Sequence, residues 1–355
     1  MALPTDVRLL NNLASTTLDE IYGEMSDQYF KTNPLVMRLL QLEKARGGGT
    51  GKFIKQRGAG VRIRETIIYN KIPGSSYDDS DTFNADNHEF MTQLEFRWKH
   101  VYVPVNFNAI EVAQNSGNDE VQFFDIVQAT AENAFNSLLD LYGYLIYGSK
   151  ADTDGTVIPN PTITTKDPDG LYNALDTALN ASPTYPVYGG IVRSGTYGDP
   201  GFAVNANVVD AGNAPLSIPL LQTGYSQCVF NQLHPDIGLC ERPLWNQLYE
   251  RAQAADRNPP GPLRDVGFET IKFNGAEVVP DDHALPGNFY WPTAEAWRLW
   301  ILEGRDLVRR AKAYGFDQGF PLPTQDRTVD QLVLSSDLVC PGTRYQCLIV
   351  NINQG

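Results

Sequence analysis

The sequence predicts an α+β fold, in which helical and strand-forming stretches follow one another instead of alternating regularly along the chain. Three observations lead to this prediction. Residues 118–148 carry apolar side chains at steps of three and four, the spacing of one helix face. Residues 52–105 change to a two-residue alternation, which is typical of strands. Two apolar runs at 329–340 and 345–352, separated by a Pro-Gly turn, predict strands near the end.

The composition limits the class of protein. The chain has 355 residues, of which 42% are hydrophobic and 20% charged, as in a folded protein. A net charge of −14 argues against a dedicated nucleic-acid binder, since phosphate contact needs a basic surface. We find no secretory signal and no apolar run of membrane-spanning length. The cysteines lack metal-site spacing and have apolar neighbours, which predicts buried free thiols. They are Cys228, Cys240, Cys340 and Cys347.

The first 46 residues are predicted to form an N-terminal arm with two short helices. Asn33 and Pro34 supply a cap and a first-turn proline for the second helix. Each piece is too short to bury its apolar face alone. We therefore expect the arm to lie against the body of the chain or against a neighbouring subunit.

A cluster of glycines follows the arm: Gly47, Gly48, Gly49 and Gly51. The cluster resembles a phosphate-binding loop, but it lacks the Walker spacing and follows a predicted helix instead of a strand. We therefore predict a hinge that leads into the next segment.

Residues 52–105 are predicted to form a long two-stranded excursion. Val61 and Ile63 alternate with Arg62 and Arg64, and a second alternating run precedes residue 105. Turn-forming residues at 73–81 predict a polar tip. A hairpin of this size has too little core to be stable alone, so we expect another subunit to cover it.

The periodic stretch at 118–148 is predicted to be a single spine helix. Asn118 is a suitable N-cap, and Gly148 is a suitable stop. The predicted apolar stripe consists of Phe124, Val127, Ala131, Ala134, Leu138, Leu141 and Leu145.

The region after the spine is predicted to be rich in loops. Short helices are predicted at 171–179 and 243–255, and a strand pair at 264–279 turns at Asn274-Gly275. A further short helix is predicted to carry a basic cluster of Arg305, Arg309, Arg310 and Lys312.

Candidate catalytic residues are few. Asp281, Asp282 and His283 could bind a metal or supply an acid–base pair, but their place between a strand and a Pro-Gly turn favours carboxylates that cap a solvated bend. No nucleophile elbow occurs, and no cysteine–histidine pair stands in a recognisable setting. We expect no catalytic residue, no cofactor and no metal, and therefore not an enzyme.

Charge is segregated along the chain. Residues 44–64 contain seven bases and no acid, whereas residues 100–149 contain six acids and no lysine or arginine. For the basic clusters, a solvated surface and contact with an acidic protein are the leading interpretations, and contact with nucleic acid comes third. We predict an assembly contact in which the basic root lies against the spine, in the same or an adjacent subunit. The residues are Lys52, Lys55, Arg57, Arg62 and Arg64 on one side, and Asp125 and Glu132 on the other.

Three local sequences, taken in their order, carry a family resemblance. They are NPLVMRLLQLEKARGGG at 33–49, YGGIVRS at 188–194, and RDVGFETIKFNGAEVVPDD at 264–282 followed by NFYW. Together with the order of arm, hairpin, spine helix and returning strands, they resemble the major capsid proteins of tailed bacteriophages with the Hong Kong 97-type fold. The resemblance extends over nearly the whole chain. Each motif is structural and none is catalytic.

The resemblance implies a coat protein that forms pentamers and hexamers of an icosahedral head around double-stranded DNA, which it contacts non-specifically. It implies a location in the virion after synthesis in the host cytoplasm, with no membrane partner. Scaffolding, portal and cement proteins are further candidate partners. A soluble hydrolase with an unrecognised carboxylate site and an encapsulin-like nanocompartment shell are the alternatives. The implied divisions are an N-terminal arm (1–46), an extended loop (47–105), a peripheral domain with the spine helix (106–160), an axial domain (161–320) and return strands (321–355).

Overall fold

A computed structural model describes most of the chain. The described residues are 34–41, 54–79, 81, 86–108, 110, 126–176, 185–196, 198–230, 233–251, 271–310, 320–321 and 326–354. They fall into two compact units. The first contains the described parts of His100–Tyr142 and Leu302–Ser335, and the second contains those of Thr32–Lys99, Gly143–Ile301 and Ser336–Gly355.

The described helices are short, apart from the long one near the middle of the sequence. They are α1 (Pro34–Gln41), α2 (Ile126–Tyr147), α3 (Leu171–Ala174), α4 (Pro200–Ala203), α5 (Ile218–Cys228) and α6 (Arg242–Arg251). Single 3₁₀ turns occur at Ala294–Ala296 and Thr343–Tyr345.

Strands make up the rest of the regular structure. In chain order they are β1 (Ile54–Gly58), β2 (Arg62–Ile68), β3 (Met91–Arg97), β4 (Lys99–Asn108), β5 (Ser149–Ala151), β6 (Val157–Pro159), β7 (Val187–Tyr188), β8 (Ile191–Val192), β9 (Asn207–Asp210), β10 (Ile237–Cys240), β11 (Ile271–Phe273), β12 (Ala276–Pro280), β13 (Phe289–Trp291), β14 (Arg298–Leu302), β15 (Val308–Arg309), β16 (Phe320–Pro321), β17 (Arg327–Val339) and β18 (Cys347–Val350). The α+β prediction is confirmed.

The long helix is confirmed over its described part, α2, while residues 118–125 of the prediction lie outside the described residues. The predicted stripe is right at Ala134, Leu138 and Leu145, which are buried. It is wrong at Ala131, which is exposed, and at Leu141, which is 38% exposed. Tyr142 is fully buried instead, because successive steps of four residues from Ala134 continue the same face through it.

In the first unit, β17 is the central strand. Both β15 and β16 pair with it in antiparallel fashion. The Arg309 Nε donates a 2.6 Å hydrogen bond to the buried Asp330 carboxylate. The short helix predicted for the basic cluster is therefore wrong at Arg305 and Arg309. At Arg309 the backbone hydrogen bonds are made by strand pairing with β17 instead of within a helix. The Arg305 carbonyl accepts from the Ser335 N–H.

The second unit contains a six-stranded mixed sheet in the order β11-β12-β10-β13-β18-β9. The hairpin between β11 and β12 turns at Asn274 and Gly275, both at positive φ, as the sequence predicted. Helices α5 and α6 contribute to a core with Trp291 and Phe289. The helix predicted at 243–255 is confirmed over its described part, α6, and residues 252–270 lie outside the described residues. All four cysteines are buried and free, as predicted.

A buried charge cluster joins a loop of this unit to the end of β17. Lys99 Nζ lies 3.8 Å from Asp169 Oδ2 and donates to the Thr165 carbonyl at 2.7 Å. The Asp169 N–H donates to Asp337 Oδ1 at 2.8 Å. Complete burial, together with the negative charge of Asp169, raises the pKa of Asp337 well above its usual range. Asp337 therefore keeps its proton to a higher pH than an exposed aspartate does.

Asp337→Asn is expected to stabilise the protein at neutral and alkaline pH. The folded state holds this proton above the pH at which the unfolded chain releases it, so unfolding releases a proton. Wild-type stability should fall as pH rises from about 4 towards the folded pKa, and this group alone contributes about 1.4 kcal/mol per pH unit. Asparagine removes that contribution. Urea unfolding over a series of pH values measures the difference.

Asp210→Asn is the matched control, because the pKa of Asp210 is shifted in the opposite direction to that of Asp337. The Gly212 N–H and the Asn351 amide hold the pKa of this exposed carboxylate below its usual range. Its contribution is present at neutral pH and is lost as pH falls through the folded pKa, so the asparagine variant should be less stable at neutral pH. Parallel pH profiles for wild type and Asp337→Asn would contradict the assignment.

Candidate functional site

The ribbon formed by β2 and β3 is the candidate functional surface. Its antiparallel register places Arg62 opposite Arg97 and Ile68 opposite Met91. Residues of β2 alternate strictly between exposed and buried. The ribbon therefore has one covered face and one exposed face.

The covered face packs on the segment that contains the YGGIVRS motif. Glu95 donates its backbone N–H to the Gly189 carbonyl at 2.9 Å. The ring of Phe96 meets Tyr188 edge to face, with centroids 5.1 Å apart. The Tyr188 hydroxyl in turn accepts from the Cys340 N–H at 2.8 Å. The motif therefore serves as the platform on which the ribbon is seated.

Arg193, the basic residue of that motif, is structural. It is 2% exposed and donates to the Val204 carbonyl at 2.8 Å and to the Tyr185 carbonyl at 3.0 Å. Its guanidinium also lies 5.0 Å from the centroid of the Tyr188 ring. These contacts hold the platform in place.

A second anchor lies on the covered face of β2. Glu65 is 5% exposed, and it forms an ion pair with Arg298. It also accepts from the indole N–H of Trp300 at 2.9 Å. Both partners belong to β14, which pairs with β1 at the root of the hairpin. The root of the hairpin is therefore fixed within the second unit, to which Glu65, Arg298 and Trp300 all belong.

The exposed face of the ribbon is basic at its root. Arg62 and Arg64 both contact Glu95, the residue opposite Arg64. The hydrogen bond from Arg62 holds the pKa of Glu95 below its usual value, and the charge of Arg64 adds to this effect. Arg97 extends the basic surface on the same face.

The distal part of the hairpin exposes apolar and acidic side chains. Ile68 is 70% exposed and its cross-strand neighbour Met91 is 52% exposed. Ile72 and Tyr77 are 63% and 70% exposed. The exposed acids are Asp78, Asp79, Asp81, Asp86 and Glu89.

The structure locates only part of the predicted assembly contact. Arg62 and Arg64 lie on the exposed face, Arg57 is exposed on β1, and Glu132 is exposed on α2. The side chain of Lys55 lies outside the described part of the chain. The remaining residues of the predicted contact and hinge lie wholly outside it: Lys52, Asp125, Gly47, Gly48, Gly49 and Gly51. The pairing of root and spine stays a prediction. Sequence reasoning missed Glu95 and Arg97, because only the cross-strand register places them beside Arg62 and Arg64.

Asp281 and His283 lie in the interior, while Asp282 between them is partly exposed. Asp281 accepts from the Tyr147 hydroxyl at 2.9 Å and from the Leu35 N–H at 3.4 Å. It also caps the bend as predicted, accepting from the His283 N–H at 3.0 Å. The expectation of a solvated bend is wrong at Asp281 and His283, which are fully buried because helix ends cover the bend.

Burial and the charge of Asp281 raise the pKa of Tyr147 well above its usual value. The Ser149 hydroxyl donates to the His283 carbonyl at 2.9 Å, and the His283 ring meets that of Tyr144 with centroids 4.5 Å apart. The segment therefore fastens α1 and the end of α2 to the loop after β12. Across the described residues no three histidine, cysteine, aspartate or glutamate side chains are grouped as a metal site would need. None of the described helices has the length and apolar character needed to span a membrane.

Comparison with solved structures identifies the fold. The capsid protein in the cyanophage A-1(L) capsid asymmetric unit matches with a TM-score of 0.66 and 13% identity, over 94% of this chain and 97% of that chain. The capsid of Myoviridae phage XM1 matches with a TM-score of 0.53 and 10% identity, over 99% and 98%. The SrpI encapsulin of Synechococcus elongatus matches with a TM-score of 0.54 and 11% identity, over 100% and 97%.

No protein-family model and no curated protein sequence matches the chain. The structural similarity extends over nearly the full length of each chain. The chain therefore has the fold of tailed-phage capsid proteins, a fold that the encapsulin shares.

Gly189→Ala is expected to destabilise the seated ribbon by about 1–3 kcal/mol more than Gly190→Ala. Both glycines adopt positive φ, 55° and 80°, so the backbone cost of alanine is common to both. A Cβ at Gly189 would lie 2.8 Å from Leu94, whereas nothing lies within 4 Å at Gly190. Thermal unfolding and limited proteolysis of the hairpin measure the difference. Equal losses in the two variants would show that the close approach is unimportant.

Proposed function

We propose that this chain is the major capsid protein of a tailed double-stranded DNA bacteriophage. It self-assembles into pentamers and hexamers of an icosahedral head that encloses the genome. The observation that carries the proposal is the full-length match to the cyanophage A-1(L) capsid protein, at a TM-score of 0.66 over 97% of that chain.

The exposed ribbon supports the proposal on physical grounds. A two-stranded ribbon has little core of its own, and this one carries exposed apolar side chains, Ile68 and Met91, on its open face. Exposed strands of this kind promote association unless a partner covers them. Neighbouring subunits of a shell supply such cover at every position.

The domain assignment is part of the proposal. Residues 47–105 form the extended loop, residues 106–160 the peripheral domain, residues 161–320 the axial domain, and residues 321–355 the return strands, with residues 1–46 as an arm. The strong pairing of β2 with β3 and the length of α2 support the first two assignments.

The principal partner is the chain itself, and the protein resides in the virion. Packaged DNA is contacted non-specifically, which suits a container with a net charge of −14. Scaffolding, portal and cement proteins are the further partners of such a head. No cofactor and no membrane partner enter the proposal.

The basic root of the hairpin is proposed to contact acidic residues of an adjacent subunit. Two acidic surfaces can supply them. One is the spine region with Asp125 and Glu132, and the other is the hairpin tip around Asp78 and Asp79. Exposed ion pairs are worth only about 0–1 kcal/mol each, but a shell repeats them at every subunit.

A second candidate function is an encapsulin-like nanocompartment shell. The full-length match to the SrpI encapsulin, at a TM-score of 0.54, favours it over any enzyme. The two candidates differ in contents, since a phage head holds DNA and a nanocompartment does not.

Purified protein is expected to form closed shells, visible by negative-stain electron microscopy and far larger than a small oligomer in size-exclusion chromatography. Particles isolated from lysed host cells should contain nuclease-resistant double-stranded DNA. Shells without such DNA but with a protein cargo would favour the nanocompartment. A protein that stays a monomer or small oligomer under all assembly conditions would overturn both candidates.

Replacing Gly48 and Gly49 by proline is expected to permit folding and closure but to block expansion of the shell. Proline fixes φ near about −65° and removes a backbone donor, so a hinge at 47–51 could no longer change its angle. Alanine at both positions is the control that keeps the N–H groups. Time-resolved light scattering measures expansion, and wild-type rates for the proline variant would show that no hinge acts there.

A further inference from the structure

The hairpin carries opposite charges at its two ends. Its root exposes four arginines, Arg57, Arg62, Arg64 and Arg97. Residues 69–90 at its tip contain Asp78, Asp79, Asp81, Asp86 and Glu89 but only one basic residue, Lys71, if His88 is neutral. The described acids of the tip are all exposed. The two ends are therefore electrostatically complementary, although they lie apart in one molecule.

The root holds more positive charge than its own hairpin neutralises. Arg62, Arg64 and Arg97 share the exposed face with a single carboxylate, Glu95, which leaves a net charge of +2 on that face (three minus one). Arg62 and Arg97 stand directly opposite each other, an arrangement that destabilises an isolated strand pair. A negatively charged partner would remove this cost.

We infer that the acidic tip of one hairpin docks on the basic root of the hairpin of a neighbouring copy. The inference rests on the proposed self-assembly and specifies the partner surface. The contact is heterologous, tip to root, so each subunit offers one of each and a ring can close. The tip concentrates five acids within residues 78–89, whereas residues 119–140 spread five acids over a stretch almost twice as long. Charge density therefore favours the tip over the spine as partner.

Arg97→Glu is the most direct test, because the inference and a purely structural role predict opposite results. Glutamate opposite Arg62 replaces a like-charge pair with an attractive one, so the melting temperature of the subunit should stay the same or rise. Assembly should weaken, and the protein concentration needed for half-assembly should rise about tenfold. Arg97→Gln should fall between wild type and glutamate in assembly.

The tip is tested by Asp78→Lys with Asp79→Lys. The matched control is Asp152→Lys with Asp154→Lys, two exposed aspartates that accept backbone hydrogen bonds in a turn, as Asp78 does. The tip variant should lose assembly, and the control should retain it. Adding Arg97→Glu to the tip variant should restore part of the assembly, since the new lysines of the tip can then pair with the new glutamate of the root. The wild-type assembly should weaken as salt concentration rises.

Each outcome separates this inference from the proposed function. Wild-type shells together with normal assembly of the tip variant would overturn the inference and leave the proposed function intact. Rescue of Arg97→Glu by Glu132→Lys, but not by the tip substitutions, would assign the root to the spine of the neighbour and likewise overturn it. Rescue by the tip substitutions alone supports the inference. Absence of wild-type shells would instead count against the proposed function.

Discussion

The β2–β3 ribbon has two faces, and contacts within the chain cover only one of them. On the covered face, Phe96 packs against Tyr188 and the Glu95 N–H donates to Gly189. On the other face, Arg62 and Arg97 stand side by side in water. Two strands cannot build a core between them. The platform at 188–189 and the Glu65 anchor therefore hold the covered face of the ribbon, whereas the distal residues Ile68 and Met91 stay exposed.

Buried polar groups hold the loops of the second unit to its strands and helices. Glu65 joins β2 to β14, Asp281 joins the loop after β12 to Tyr147 and Leu35, and Asp337 joins β17 to the loop at 169. A buried carboxylate is costly unless it is hydrogen-bonded or protonated. Glu65, Asp281 and Asp337 all accept hydrogen bonds from donors on other segments, and burial also raises the pKa of Asp337.

The fold of this protein does not by itself specify its function. Phage capsid proteins and an encapsulin share the fold at 10–13% identity, so the backbone architecture tolerates nearly complete replacement of the sequence. What a shell contains and how it closes depend on surfaces that the fold leaves variable. In this chain the hairpin has a surface with segregated charge, basic at the root and acidic at the tip.

The sequence by itself determined the α+β class, the long helix, the hairpin excursion, the Asn274-Gly275 turn and the family resemblance, because each follows from local periodicity or turn chemistry. Only the tertiary structure decided three other features. Tyr142 replaces Leu141 on the buried helix face, Arg309 lies on a strand beside Asp330, and Glu95 contacts Arg62 and Arg64. Each depends on which distant segment lies opposite, and side-chain spacing along one segment carries no information about its partner or its register.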